Sequence, residues 1–83
     1  MDTQTALAGY IQKELAIGRK KPILPDEDLF ASGVLDSLGV LQLVLFVEEQ
    51  FGIKVADEDV VLENFQTLDA MARYIASRQG AAA

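Results

Sequence analysis

Residues 33–53 read GVLDSLGVLQLVLFVEEQFGI, and the fold turns on this stretch. From Ser37 to Phe51 the apolar residues recur at helical spacing, and Gly52 follows as a stop. At ~100° per residue, Val40, Leu43, Val44, Val47 and Phe51 fall within one arc roughly 100° wide, which is a core face. Leu38, Leu41 and Leu45 fall together on nearly the opposite side. A soluble helix normally hides one apolar face and shows water the other. A small bundle does not easily cover two. Either the preceding loop folds over the second stripe, or the stripe meets a partner. Partner contact is favoured for Leu41 and Leu45, while Leu38 stands evenly between the two.

Outward from this helix, residues 3–17 read as an amphipathic helix carrying Leu7, Tyr10, Ile11 and Leu15, with Asp2 or Thr3 as cap and Gly18 as terminator. Residues 18–36 read as a long loop with two prolines, two glycines and clusters of both charges. Loops of this length in a compact domain are uncommon and often functional. This one is expected to be pinned by Ile23, Leu24, Leu29, Phe30, Val34 and Leu35. Residues 57–62 suit a short helical turn capped by Asp57. Thr67 suits the cap of a last helix over 68–78, with Leu68, Met71, Ala72 and Ile75 on one face. The expectation is an all-α fold: a bundle of three main helices plus one short helix, with a long loop between the first two. It forms a single domain over 1–83, frayed at 80–83.

The 83 residues are 51% apolar and 24% charged, a globular composition, with net charge −6. A core can form at this length, but a deep catalytic cleft has no room. The acidic balance argues against nucleic acid and anionic membranes and for basic partners. The absence of His and Cys removes disulfides, thiolate catalysis, ordinary zinc sites and the common general base. A small enzyme therefore fails on inventory. The longest apolar run, residues 43–47, is far too short to span a bilayer. The N-terminus lacks a signal-peptide pattern, so a cytoplasmic monomer is the default.

Asp36 and Ser37 sit at the mouth of the apolar helix. Both are common N-caps, so on their own they announce only that a helix begins, and Ser37→Ala would then cost about 1 kcal/mol. The same position also offers unpaired N–H groups and a positive dipole end, which suit a phosphate ester on the serine. The adjacent carboxylate suits Mg²⁺ during phosphoryl transfer. No base or oxyanion partner supports a catalytic serine, so Ser37 reads as an attachment point modified by another enzyme.

DLFASGVLDSL at 28–38, followed by LVLFVEEQFGI at 43–53, resembles the acyl carrier protein family, which includes aminoacyl and peptidyl carriers. The likeness runs from about Leu7 to Ile75. It implies 4′-phosphopantetheine on Ser37, installed from coenzyme A by a phosphopantetheinyl transferase with help from Asp36. It implies cargo held as a thioester on a borrowed thiol. It implies partner contact at Leu38, Leu41, Leu45 and Glu48. Fatty-acid carriers run acids through the early second helix, where this chain has Gly39, Val40, Leu41 and Gln42. Peptidyl domains often carry glycines where Val34 and Leu35 stand. The nearest resemblance is to stand-alone carriers loaded by an adenylating acyl or amino-acid ligase, D-alanyl carriers among them, with a downstream acyl-transfer enzyme as the third partner. A fatty-acid or polyketide carrier is the alternative. From another class, so is an unmodified helical interaction module.

Three charged clusters remain. Asp26, Glu27 and Asp28 read as a solvated loop rather than a cation site. Asp57, Glu58 and Asp59 read as helix-capping. Arg19, Lys20 and Lys21 suit the C-terminal dipole of the first helix.

Overall fold

The computed structural model describes residues 2–82. Helix α1 spans Thr3–Tyr10 and continues as a π-helical turn over Ile11–Leu15; α2 spans Ser37–Phe51; a 3-10 turn covers Asp57–Asp59; α3 spans Leu62–Phe65; and α4 spans Leu68–Ala82. The described residues contain no strand. Three long helices and a short one match the expected all-α bundle, but residues 57–62, expected to form the short helix, hold only a 3-10 turn at 57–59, and α3 begins at Leu62.

Asp2 starts α1, its Oδ1 accepting the Thr5 N–H at 3.0 Å. Leu7 and Ile11 are fully buried. The next turn widens, the Ala16 N–H donating to the Ile11 carbonyl at 2.7 Å. That i→i+5 bond puts Ala16 in the buried place a regular helix would give to Leu15, which is left half-buried. The regular helix expected over 3–17 is thus an α-helix closed by a π turn. Gly18 follows at φ 87°, a conformation that L side chains rarely adopt.

Helix α2 has the boundaries the sequence predicts, with Gly52 at φ 66° as its left-handed terminator. Its cap is Asp36 alone, whose Oδ1 accepts the Gly39 N–H at 2.8 Å. Ser37 is the first helical residue. Its hydroxyl makes no hydrogen bond among the described residues, so the capping role given to it belongs entirely to its neighbour.

Val40, Leu43 and Val47 enter the core with Leu7, Ile11, Phe65, Leu68, Met71 and Ile75. Val44 and Phe51 pack against that cluster while half-buried. Tyr10 and Phe46 stack at 4.2 Å between α1 and α2. The Thr67 hydroxyl caps α4 by accepting the Ala70 N–H at 3.0 Å. The backbone stays helical to Ala82, beyond the expected end at 78 and through most of the tail expected to fray; Ala83 lies outside the described residues. Alanine and glutamine are good helix formers, and no proline interrupts them. Asp57 caps nothing: the 3-10 turn is entered from Ala56 and α3 from Val61, neither with a side-chain bond.

The loop of 18–36 is pinned by Ile23, Leu29 and Leu35, all buried, and by half-buried Phe30 and Val34. Leu24 is 54% exposed and pins nothing. The acidic residues 27 and 28 are not simply solvated. Glu27 takes a two-pronged bond from the Arg19 guanidinium, at 2.6 and 2.7 Å. Asp28 accepts the Phe30 and Ala31 N–H groups on one oxygen and the Gln66 amide on the other. Arg19 also donates to the Lys21 and Pro22 carbonyls, so it staples the loop rather than the end of α1.

Two outcomes follow. The Arg19 guanidinium holds the Glu27 carboxyl at about 2, below its ordinary 4.5. A carboxyl depressed on folding stabilises the fold above its ordinary value, and that contribution fades as pH falls through the folded one. The difference in melting temperature between the parent chain and Glu27→Gln should therefore shrink steadily as pH drops from 4.5 towards 2; a constant difference would refute the role given to this pair. At α2, Asp36→Ala should lose about 1 kcal/mol in urea unfolding, whereas Ser37→Ala should stay within about 0.5 kcal/mol of the parent.

Candidate functional site

The site lies where the loop of 18–36 delivers the chain into α2. Gly33, at φ 81°, turns the backbone, and Leu35 is buried immediately before the cap. Asp36 and Ser37 follow, both exposed. The first turn of α2 therefore presents its unpaired N–H groups beside a free hydroxyl, where an anion gains from donors and dipole together.

Gly39 is buried in this first turn. A Cβ added there would lie 3.3 Å from Asp36 Oδ1 and 3.4 Å from Leu35 Cδ2. Any side chain at 39 would crowd the carboxylate that caps the helix. A glycine in a helix interior costs about 1 kcal/mol relative to alanine. Here it leaves room for Asp36 to hold its cap beside Ser37. Only Oδ1 of Asp36 is engaged; among the described residues Oδ2 has no partner.

An open groove of about 560 Å³ begins at Asp36 and Ser37 and runs between α2 and α3, walled by Phe30, Leu41, Val61, Leu62 and Phe65. It is mainly apolar. The sequence reading missed it, and missed with it the exposure of Val61 and Leu62 beside the entrance to α3. The signal was present: VVL at 60–62 follows three acids without the alternation of a buried turn.

The second apolar stripe of α2 is not covered by the loop. Leu38, Leu41 and Leu45 are 63%, 59% and 60% exposed. Leu41 borders the groove, and Leu38 flanks Ser37 in sequence. Glu48, expected to face a partner, also has a contact within the fold. It is half-buried, and its Oε2 accepts the Val55 N–H at 2.9 Å, tying the end of α2 to the following segment. The second acidic turn, at 57–59, is also engaged internally: Asp59 accepts the Tyr74 hydroxyl at 2.8 Å, and its carbonyl accepts the Asn64 amide at 2.8 Å, fixing the approach to α3.

Comparison with known proteins agrees with this geometry. The family described as "Phosphopantetheine attachment site" matches residues 5–75. The D-alanyl carrier protein of Streptococcus uberis is 38% identical over 58 residues, covering 70% of this chain and 73% of that protein. The D-alanyl carrier protein of Streptococcus equi subsp. zooepidemicus is 41% identical over 56 residues, covering 68% and 71%. Among solved structures, a chain of "Crystal structure of FAD-dependent dehydrogenase" superposes with a TM-score of 0.76 at 25% identity, covering 83% of this chain and 97% of that one. With the family matched from the first turn of α1 to the middle of α4, the chain belongs to the phosphopantetheine attachment family: it is a carrier protein whose prosthetic group is covalently attached 4′-phosphopantetheine.

Proposed function

We propose that Ser37 is the attachment residue and that the cargo is an aminoacyl group, loaded by a separate adenylating ligase. The observation that carries the first part is the Ser37 hydroxyl: exposed, free of internal hydrogen bonds, and set at the N-terminus of α2 on the rim of an apolar groove. The cargo class rests on the relatives named as D-alanyl carriers.

The residues of the site fit the group. When bound, it supplies a terminal thiol on a flexible arm, on which cargo rides as a thioester. Ser37 Oγ is the acceptor of the phosphoryl bond: it displaces adenosine 3′,5′-bisphosphate from coenzyme A, and its proton passes to a base on the transferase. Asp36 divides its carboxylate between two tasks. Oδ1 keeps the helix capped, and Oδ2 is available to Mg²⁺ during transfer. After transfer, the first-turn N–H groups of α2 face the phosphodiester. Leu38, Leu41 and Leu45 give the enzymes that read the carrier an apolar surface beside the attachment point.

The chain itself supplies no histidine or cysteine, and its role here is to present cargo rather than to catalyse. No described helix is long and apolar enough to cross a membrane; in this reading the chain is a cytoplasmic monomer that inserts into no membrane, and its acidic composition disfavours nucleic acid. Its partners are a phosphopantetheinyl transferase, the ligase and a downstream acyl-transfer enzyme. The chain superposing on it from the FAD-dependent dehydrogenase structure is itself almost wholly covered, and so of carrier size. That favours a second reading of the downstream partner, a flavin enzyme that oxidises the carried cargo.

The test is intact mass after incubation with coenzyme A, Mg²⁺ and a broad-specificity phosphopantetheinyl transferase, beside Ser37→Ala. One phosphopantetheine should be gained by the parent and none by the variant, which remains folded. Gain by both would move the attachment point; gain by neither, with several transferases, would leave the unmodified interaction module. Adding ATP, the ligase and single amino acids to the modified chain should then give one further mass step, with a short acyl or fatty acid failing to do so.

A further inference from the structure

Residues 17–24, IGRKKPIL, carry three of the chain's seven cations and none of its thirteen acids. They lead from the end of the π turn into the long loop, and none of them lines the groove at Ser37. Their backbone is held in one shape. The Gln12 amide donates to the Arg19 carbonyl at 2.7 Å, and the Arg19 N–H to the Ala16 carbonyl at 3.0 Å. The Arg19 guanidinium then donates to the Lys21 and Pro22 carbonyls as well as to Glu27. Ile23 is buried and anchors the far end. With Arg19 committed to Glu27 and Ile23 to the core, the side chains left at the surface are Ile17, Lys20, Lys21, Pro22 and Leu24.

The fold makes little use of these five. Ile17 is 81% exposed and Leu24 54%. Leu24 walls an open pocket of about 440 Å³, mainly apolar, together with Pro22, Lys21 and the Arg19–Glu27 pair. Among the described residues, neither Lys20 nor Lys21 has an acid within salt-bridge distance. The dipole of the first helix does not account for them. Its effect fades within the last turn, and they stand five and six residues beyond Leu15. On a chain of net charge −6, two free cations beside an apolar pocket form a patch of sign opposite to the rest.

We infer that this loop face is a docking surface for an acidic segment of a partner protein, one that carries an aliphatic side chain next to Asp or Glu. The aliphatic group enters the pocket against Pro22 and Leu24, and the carboxylates meet Lys20 and Lys21. A lipid surface fits less well. An interfacial anchor needs a broad apolar face, and an anionic bilayer repels the charge on the remainder of the chain. A basic enzyme drawn to the acids at 57–63 is repelled at 17–24, so the two surfaces select different partners.

The inference does not rest on the attachment reading, and its test uses the full, unmodified chain. The ¹⁵N-labelled chain is titrated with a peptide of leucines flanked by glutamates, and with the same peptide carrying lysines for glutamates. The glutamate peptide should move the amide signals of Ile17, Gly18, Lys20, Lys21 and Leu24, and the lysine peptide should leave them in place. Lys20→Gln with Lys21→Gln should weaken binding about tenfold. Leu24→Ser should weaken it severalfold at an unchanged melting temperature, because that side chain lies outside the core. Affinity indifferent to Leu24→Ser would reduce the patch to diffuse charge attraction and overturn the proposal. So would shifts centred on the Ser37 groove, or cosedimentation of the chain with phosphatidylglycerol vesicles. Shifts that follow the chain's own concentration would overturn it as well, by placing a second copy on this face.

Discussion

The position of the Ser37 end of α2 depends on Leu29. Its side chain is fully buried, and its N–H donates to the Gln66 carbonyl at 2.8 Å. Its own carbonyl accepts from both Val34 and Leu35, at 2.9 and 3.0 Å. Nearby, the Asp69 N–H donates to the Pro25 carbonyl at 3.0 Å, and the Gln66 amide to Asp28 at 2.6 Å. The long loop is thereby built onto the corner between α3 and α4. Ordering so many residues carries a large entropic cost, and it is offset only where backbone groups find partners and apolar groups find a core. Both happen at Leu29. Two consequences follow for the site. The chain enters α2 at a fixed angle, with Leu35 buried and Asp36 in place to cap. The groove at Ser37 is also anchored through this one junction, since Phe30 reaches it from the loop and Phe65 from α3.

Helix α2 divides its surface among three tasks that its sequence keeps apart. Val40, Leu43 and Val47 fill the core. Leu38, Leu41 and Leu45 remain in water, although burying a leucine is worth roughly 1.5–3 kcal/mol. The core is already filled from the other side, so the fold cannot recover that energy; a partner can. The third task belongs to the first turn. There Gly39 gives up helix propensity and Asp36 gives up one oxygen, and together they keep Ser37 free of any structural duty. A serine that also capped the helix would hold its hydroxyl in that bond. With the neighbour as cap, the hydroxyl is available at no cost to the fold.

Much of this was legible in the sequence because periodicity reports on faces. The span of α2, its two apolar stripes, Gly52 as terminator, Asp2 and Thr67 as caps, and the number of helices all follow from spacing and cap chemistry. What was not legible depends on contacts between segments distant in sequence. Nothing in IQKEL announces a π turn, which leaves Ala16 buried and Leu15 only half-buried. Nothing near Glu48 in sequence announces that it accepts the Val55 N–H. Asp57 looked like a cap, but Tyr74 and Asn64 fix the turn through Asp59 instead. The loop acids looked solvated because Arg19 and Gln66, their partners, become neighbours only in the fold. The groove at Ser37 is the largest omission, and for the same reason: its walls come from the loop, α2 and α3, and no local pattern encodes a surface made by three segments.

The same distinction changes what the net charge means. Of thirteen acidic residues, seven are engaged internally: Asp2, Glu27, Asp28, Asp36, Glu48, Asp59 and Asp69, the last accepting the Gln4 amide at 2.7 Å. Their charges are spent on caps, turns and the loop staple, where an N–H, a guanidinium or, for Asp59, a tyrosine hydroxyl answers each at short range. The remaining six are Glu14, Asp26, Glu49, Asp57, Glu58 and Glu63. Five of these fall into two groups, one beside the Tyr10–Phe46 stack and one at the approach to α3 beside Val61 and Leu62. Each group borders exposed apolar surface. A net charge of −6 read as a uniform field would predict diffuse attraction to any basic protein. Distributed in this way, it favours partners that match a specific apolar side chain with cations at its edges. Such a surface gives selectivity among enzymes that must each take hold of the carrier and then release it.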